Sequence, residues 1–170
     1  IINWPVGIVN VVIYAWVCFT ARLFADMSLQ IVYVALSIHG WYSWARGGTN
    51  QSELPITRIQ PRSWLVVLLV WAAGTVAFVP IDRDLLHGAS PWLDSILAVG
   101  SLVAQVMNNV KKFENWILWI GINAAYLPLY YSRQLQATSV LYGLYFALSL
   151  YGLINWNRLL RGQNRLIPQP

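Results

Sequence analysis

The chain has 170 residues, of which 58% are hydrophobic and only 10% are charged, and its net charge is +5. Soluble domains carry roughly 25% charged residues, so these proportions exclude an ordinary water-soluble fold and place the chain in lipid. The single Cys18 excludes an internal disulfide or a cysteine metal centre, and membrane topology accounts for the basic excess without a nucleic acid partner.

A membrane span needs roughly 17 to 25 apolar residues, and lipid admits only helices or closed barrels. Runs of this length without period-two alternation predict helices over 4–20, 27–45, 63–80, 91–107, 116–131 and 139–156. The first is apolar almost throughout, with Gly7 and Asn10 as its small and polar positions. The second carries a stripe of Asp26, Gln30, Tyr33, Ser37, Trp41 and Trp44. A loop follows over 47–61, punctuated by Gly47, Gly48, Pro55 and Pro61. The third span ends at a turn over 80–91, where Asp82, Arg83 and Asp84 read as solvated charge. The fourth offers Ser101, Gln105 and Asn108. The fifth sets Trp116, Trp119, Asn123, Tyr126 and Tyr130 on one face by spacings of three and four. The sixth repeats that spacing with Thr138, Tyr142, Tyr145, Ser149 and Trp156, with Asn155 beside it, and a short polar tail runs over 163–170.

The chain also repeats itself. With a shift of 112 residues and no gap, 3–46 matches 115–158 at fourteen positions, including Asn3/Asn115, Trp4/Trp116, Tyr33/Tyr145, Ser37/Ser149, Gly40/Gly152, Trp44/Trp156 and Arg46/Arg158. Shared Trp, Asn, Gly and Arg in one register is not a composition effect; it predicts two related halves around a central site. One transmembrane domain results: repeat one over 1–46, a connecting helix at about 62–80, and repeat two at about 90–158. The fourth span has its counterpart before Ile1, so the full plan is expected to be seven helices, three-one-three. That is a parallel, SWEET-like repeat about the membrane normal, of which this chain holds six helices. Crossing by all six puts eight basic residues in the connections on one side and three (Arg22, Arg83, Arg133) on the other. The C-terminus is therefore expected in the cytoplasm.

Polar groups are costly against lipid, so the striped faces should point into the bundle and line a cavity. Trp4, Trp44, Trp64, Trp92 and Trp156 lie near span ends and suit interfacial anchoring as well. Asn123 falls in mid-span, where an unpaired amide is expensive. Its position and that of Trp119 align with Val11 and Gly7, so the second half is expected to grip a ligand while the first approaches it with backbone at Gly7 and with Asn10. Neutral amides and hydroxyls suit an amide or a ribose; indole faces suit a flat ring, and a cationic ring more, by roughly 0.5 to 2 kcal/mol each. With no carboxylate or lysine deep in a span, the residues predict uncoupled passage of a small aromatic, polyhydroxyl solute. His39 and His87 join no metal-ligand cluster or triad, so neither an enzyme nor a bound metal or cofactor is expected; a non-transporting structural subunit is the alternative from another class.

The run Glu114-Asn115-Trp116-Ile117-Leu118-Trp119-Ile120-Gly121-Ile122-Asn123, with Leu129-Tyr130 after it, resembles the signature of the PnuC-type vitamin transporters. So does Ser37-Ile38-His39-Gly40-Trp41-Tyr42-Ser43-Trp44, and the likeness covers nearly the whole chain. The resemblance implies the seven-helix plan, a multi-pass place in the bacterial inner membrane, a homotrimer, and facilitated uptake of nicotinamide riboside trapped by a cytoplasmic riboside kinase. Relatives carrying thiamine or riboflavin keep those substrates open. It also implies a site at Trp116, Trp119 and Asn123 with Gln105 and Asn155. Asn108, Tyr130, Trp41, Trp44 and Gln30 complete the candidate substrate contacts.

Overall fold

The computed structural model describes residues 3–20, 24–48, 52–86 and 90–166. The described residues are all α, with six helices: α1 (Asn3–Thr20), α2 (Phe24–Arg46), α3 (Pro61–Asp84), α4 (Pro91–Asn109), α5 (Asn115–Ser132) and α6 (Gln136–Leu166). Proline marks two of the starts. Pro61 opens α3 and Pro91 opens α4, where the missing N–H has no intrahelical partner to lose. Asp94 strengthens the start of α4 by accepting the Ser90 N–H at 3.1 Å.

The helices divide into two compact units, one of Ile1–Pro55 with Asn108–Lys111, the other of Ile56–Met107 with Lys112–Pro170. In the first, α1 packs on α2. The Trp4 ring lies so close over Gly40 that a Cβ there would fall 2.6 Å from Cζ3 of the indole. Trp4 also meets Trp44 edge-on, centroids 5.3 Å apart at 80°. The Trp44 Nε1–H donates to the Asn108 carbonyl at 2.9 Å, and buried Asn109 donates Nδ2–H to the Leu36 carbonyl at 2.8 Å. Lys111, held at φ 47°, puts its ammonium 4.7 Å over the Trp44 ring.

In the second unit α5 packs on α6 by the same device. A Cβ at Gly152 would lie 2.5 Å from Cζ3 of Trp116, and Trp116 meets Trp156 edge-on at 5.4 Å and 90°. Small residues let helix backbones approach closely where no hydrophobic force separates helix from lipid. That requirement explains why glycine recurs at both equivalent positions. It recurs between α3 and α4 too, where a Cβ at Gly100 would fall 2.6 Å from the Trp71 ring, whose Nε1–H donates to the Ile96 carbonyl at 2.9 Å. Leu97 and Ala104 of α4 and Ile122 of α5 form a buried cluster with Leu118 and Trp119 against it.

Two ends of this unit are pinned by polar contacts. At one, Arg133 donates from Nη2 to both Asp94 carboxylate oxygens at 3.0 Å. Beyond the other end of α4, Thr57 pairs with Lys112 in an isolated parallel bridge, and the Phe113 N–H donates to the Thr57 carbonyl at 2.9 Å.

The structure corrects two local expectations. α3 does not stop at Pro80 but continues to Asp84, at the loss of one backbone bond. Asp82 is consequently not solvated turn charge; it is buried on the face that also carries Thr75 and Val79, while Arg83 and Asp84 pair with each other in solvent. The polar tail, too, is helical up to Leu166. Among the described residues, two helices are long and apolar enough to cross a membrane on length and composition alone, Pro61–Asp84 with mean hydropathy 2.3 and Gln136–Gln163 with 1.5. α3 exposes Leu65, Val66 and Leu69 at about 60% each, an apolar band that water would not tolerate on a monomer.

Candidate functional site

Within the second unit, α5 and α6 line an open cavity of about 260 Å³ bordered by Trp116, Trp119, Asn123, Tyr145, Leu148 and Ser149. The α5 residues fall at i, i+3 and i+7, and those of α6 at i, i+3 and i+4, so each helix turns one face to the cavity. The close approach at Gly152 brings those faces together.

Asn123 is buried, 3% exposed, and donates from Nδ2 to the Ser149 hydroxyl at 3.1 Å. The Ser149 hydroxyl in turn donates to the Tyr145 carbonyl at 2.7 Å. The serine proton is thereby committed to the backbone, and its oxygen faces Asn123 as an acceptor. This relay orients the amide: its NH₂ end faces Ser149, and its remaining hydrogen-bonding capacity is left for other partners. Trp119 is half-buried, backed by the Leu97, Ala104 and Ile122 cluster. The Trp116 Nε1 atom is buried without an acceptor among the described residues, so this indole offers the cavity ring surface and not its N–H. None of the six lining residues carries a formal charge. Such a wall favours a neutral polar group and a flat ring, and ring faces also attract a cation.

Of the residues singled out from the sequence, Trp116, Trp119 and Asn123 line this cavity together. The other candidate contacts are not in its lining. Tyr130 stacks on Tyr126 and Tyr142 with centroids 5.5 and 5.1 Å away. Tyr142 then meets Tyr145 edge-on at 5.8 Å, so Tyr130 backs the wall through a second ring. Gln105 is half-buried on α4 and engaged in an interaction of its own. Asn155 is exposed on α6 and is not in the lining. Trp41, Trp44, Gln30 and Asn108 belong to the first unit: Trp41 is exposed, Gln30 is half-buried, and Trp44 is tied to Asn108, whose Oδ1 is buried without a partner among the described residues. A Cβ at Gly7 would meet nothing within 4 Å, and Asn10 is exposed.

Tyr145, Leu148 and Ser149 were not among the candidate contacts. Tyr145 and Ser149 do lie on the polar stripe of the sixth span, and that spacing was the available signal. Leu148 had none, since an apolar residue in an apolar helix is silent until its neighbours are known.

The model of the nicotinamide mononucleotide transporter family matches residues 1–158. The chain belongs to this family. It is a family of transporters, not of enzymes. The nicotinamide riboside transporter PnuC of Neisseria mucosa is 32% identical over 94% of this chain, and the chain spans 65% of that relative's length. A crystal structure of the vitamin B3 transporter PnuC superposes with a TM-score of 0.70 at 30% identity, covering 94% of this chain and 72% of that one. The riboflavin/roseoflavin transporter RibM of Streptomyces davaonensis is 25% identical over 91% of this chain and 73% of its own. The six-helix all-α architecture thus recurs in a solved member of the family.

Proposed function

We propose that this chain forms the membrane body of a bacterial vitamin transporter that passes nicotinamide riboside through the inner membrane by facilitated diffusion. Phosphorylation by a cytoplasmic riboside kinase then holds the product inside. The observation that carries this reading is the uncharged cavity in which two indoles and the Tyr145 side chain surround the buried Asn123 amide. A pyridinium ring gains from indole faces, and a carboxamide or ribose hydroxyl matches a neutral amide better than a charge. The PnuC relatives support the choice of substrate.

All six helices crossing, the C-terminus in the cytoplasm, a parallel three-one-three plan and a homotrimer belong to the same proposal. The Trp–Gly–Trp contact, present in both α1–α2 and α5–α6, supports the internal repeat on which that plan rests.

Riboflavin is the second reading, favoured by the likeness to RibM; thiamine, another cationic ring system, is tested with it. Calorimetry on detergent-purified protein separates these readings. Nicotinamide riboside should bind, and Trp119→Ala should weaken it by about 1–3 kcal/mol, as loss of one stacked ring does elsewhere. Binding of riboflavin or thiamine with none of the riboside overturns the substrate and leaves the carrier. No binding of any of the three favours a structural subunit.

A further inference from the structure

The second unit holds another cavity of opposite character. It measures about 450 Å³ and is lined by Ile56, Thr57, Arg58, Asn157, Leu160 and Arg161. α6 supplies Asn157, Leu160 and Arg161 from one face, at i, i+3 and i+4. Arg161 lies twelve residues, about 18 Å of helix, beyond Ser149, and the two cavities share no lining residue.

The opposite wall is the short extended segment before α3, and it is firmly held. The bridge between Thr57 and Lys112 fixes its backbone, and the Ile59 N–H donates to the Glu114 carboxylate at 2.9 Å. The Arg58 guanidinium rests 5.0 Å over the Phe113 ring, which orients its fork without neutralising it. The Lys112 ammonium donates to the Thr57 hydroxyl at 2.9 Å, bringing a third cation to the wall and leaving the hydroxyl hydrogen free to donate. Ile56 and Leu160, each 9% exposed, form an apolar floor.

Among the described residues no ion pair joins Arg58 or Arg161 to a carboxylate. Glu114 is buried and turned to the Ile59 N–H. The cavity lining is therefore rich in donors and in positive charge and includes no carboxylate. Two guanidinium forks exceed what one carboxylate satisfies, whereas a phosphate presents several acceptor oxygens and is matched bidentately by arginine.

We propose that Arg58 and Arg161, with Thr57, Lys112 and Asn157, form a phosphate-ester site separate from the Trp119 cavity. The phosphate belongs either to an anionic phospholipid head group or to a soluble phosphorylated metabolite. Basic pockets at helix ends near the membrane surface hold lipid head groups by the same chemistry.

The test uses the full chain in neutral detergent at low ionic strength, with Arg58→Gln/Arg161→Gln as the variant; both side chains are exposed, and matched circular dichroism and thermal unfolding establish that the variant is folded. In one arm inorganic phosphate is titrated by calorimetry. In the other, micelles doped with phosphatidylglycerol or phosphatidylcholine are used, and retained lipid is read by native mass spectrometry. The wild-type chain should bind phosphate or retain phosphatidylglycerol over phosphatidylcholine, and the double variant should lose this by about tenfold or more. A response to the lipid alone assigns the head group, and one to phosphate alone assigns a soluble ester. Arg58→Lys/Arg161→Lys should fall between, since charge remains but the fork is lost. If neither probe distinguishes the folded double glutamine variant from wild type, the site does not exist.

Discussion

Ser149 governs two polar groups of the α5–α6 cavity at once, accepting from Asn123 and donating to the Tyr145 carbonyl. Removing the hydroxyl leaves the buried Asn123 amide without this acceptor, a loss worth about 1–3 kcal/mol. Ser149→Ala should therefore weaken riboside binding by about tenfold in a calorimetric titration, while Ser149→Thr, which keeps the oxygen, should recover most of it. Equal affinity in wild type and Ser149→Ala would remove the relay from the account of binding. At this scale the sequence was partly informative. Spacing put Trp116, Trp119 and Asn123 on one face because helical periodicity is local. The same spacing named Tyr130, which packs against other tyrosines; periodicity says which residues share a face, not whether that face meets a void or another ring.

At the scale of the element, both helix pairs are set by a tryptophan over a glycine. A leucine at position 152 would drive its side chain into the Trp116 ring, and overpacking of that kind costs typically 1–3 kcal/mol. Gly152→Leu should lower the thermal unfolding midpoint in detergent by several degrees. Gly162→Leu, where a Cβ meets nothing within 4 Å, should not, and similar midpoints for the two would refute the packing argument.

The link between α4 and α5 has its own signature. Burial lowers the pKa of the Lys111 ammonium, and Glu53 partly opposes this. The unfolded chain, with an ordinary lysine value of about 10.4, thus binds this proton more tightly than the folded one. Stability from this group is present above the ordinary value and is lost as pH falls through the folded value. Lys111→Asn keeps a residue that tolerates positive φ and removes the ammonium. Its thermal midpoint should rise less than that of wild type on going from about pH 9 to the ordinary lysine pKa; parallel profiles would show that Lys111 carries no such linkage.

For the whole molecule, the absence of charge among the residues lining the α5–α6 cavity bears on energetics. Ion-coupled carriers place ionisable groups in the membrane to bind the driving ion. Liposomes reconstituted with this chain should accumulate labelled riboside only to equality with the bath, and at the same initial rate with or without sodium and proton gradients. A strict gradient requirement would overturn facilitated diffusion.

Helix number, approximate ends and the internal duplication were legible in the letters, because apolar length, prolines and helical period act over a few neighbouring residues. The reach of α3 past Pro80, the burial of Asp82, the exposure of Asn155 and the entry of Leu148 into the cavity wall were decided only by tertiary structure. Each depends on what stands opposite a side chain, and that neighbour comes from a distant part of the chain.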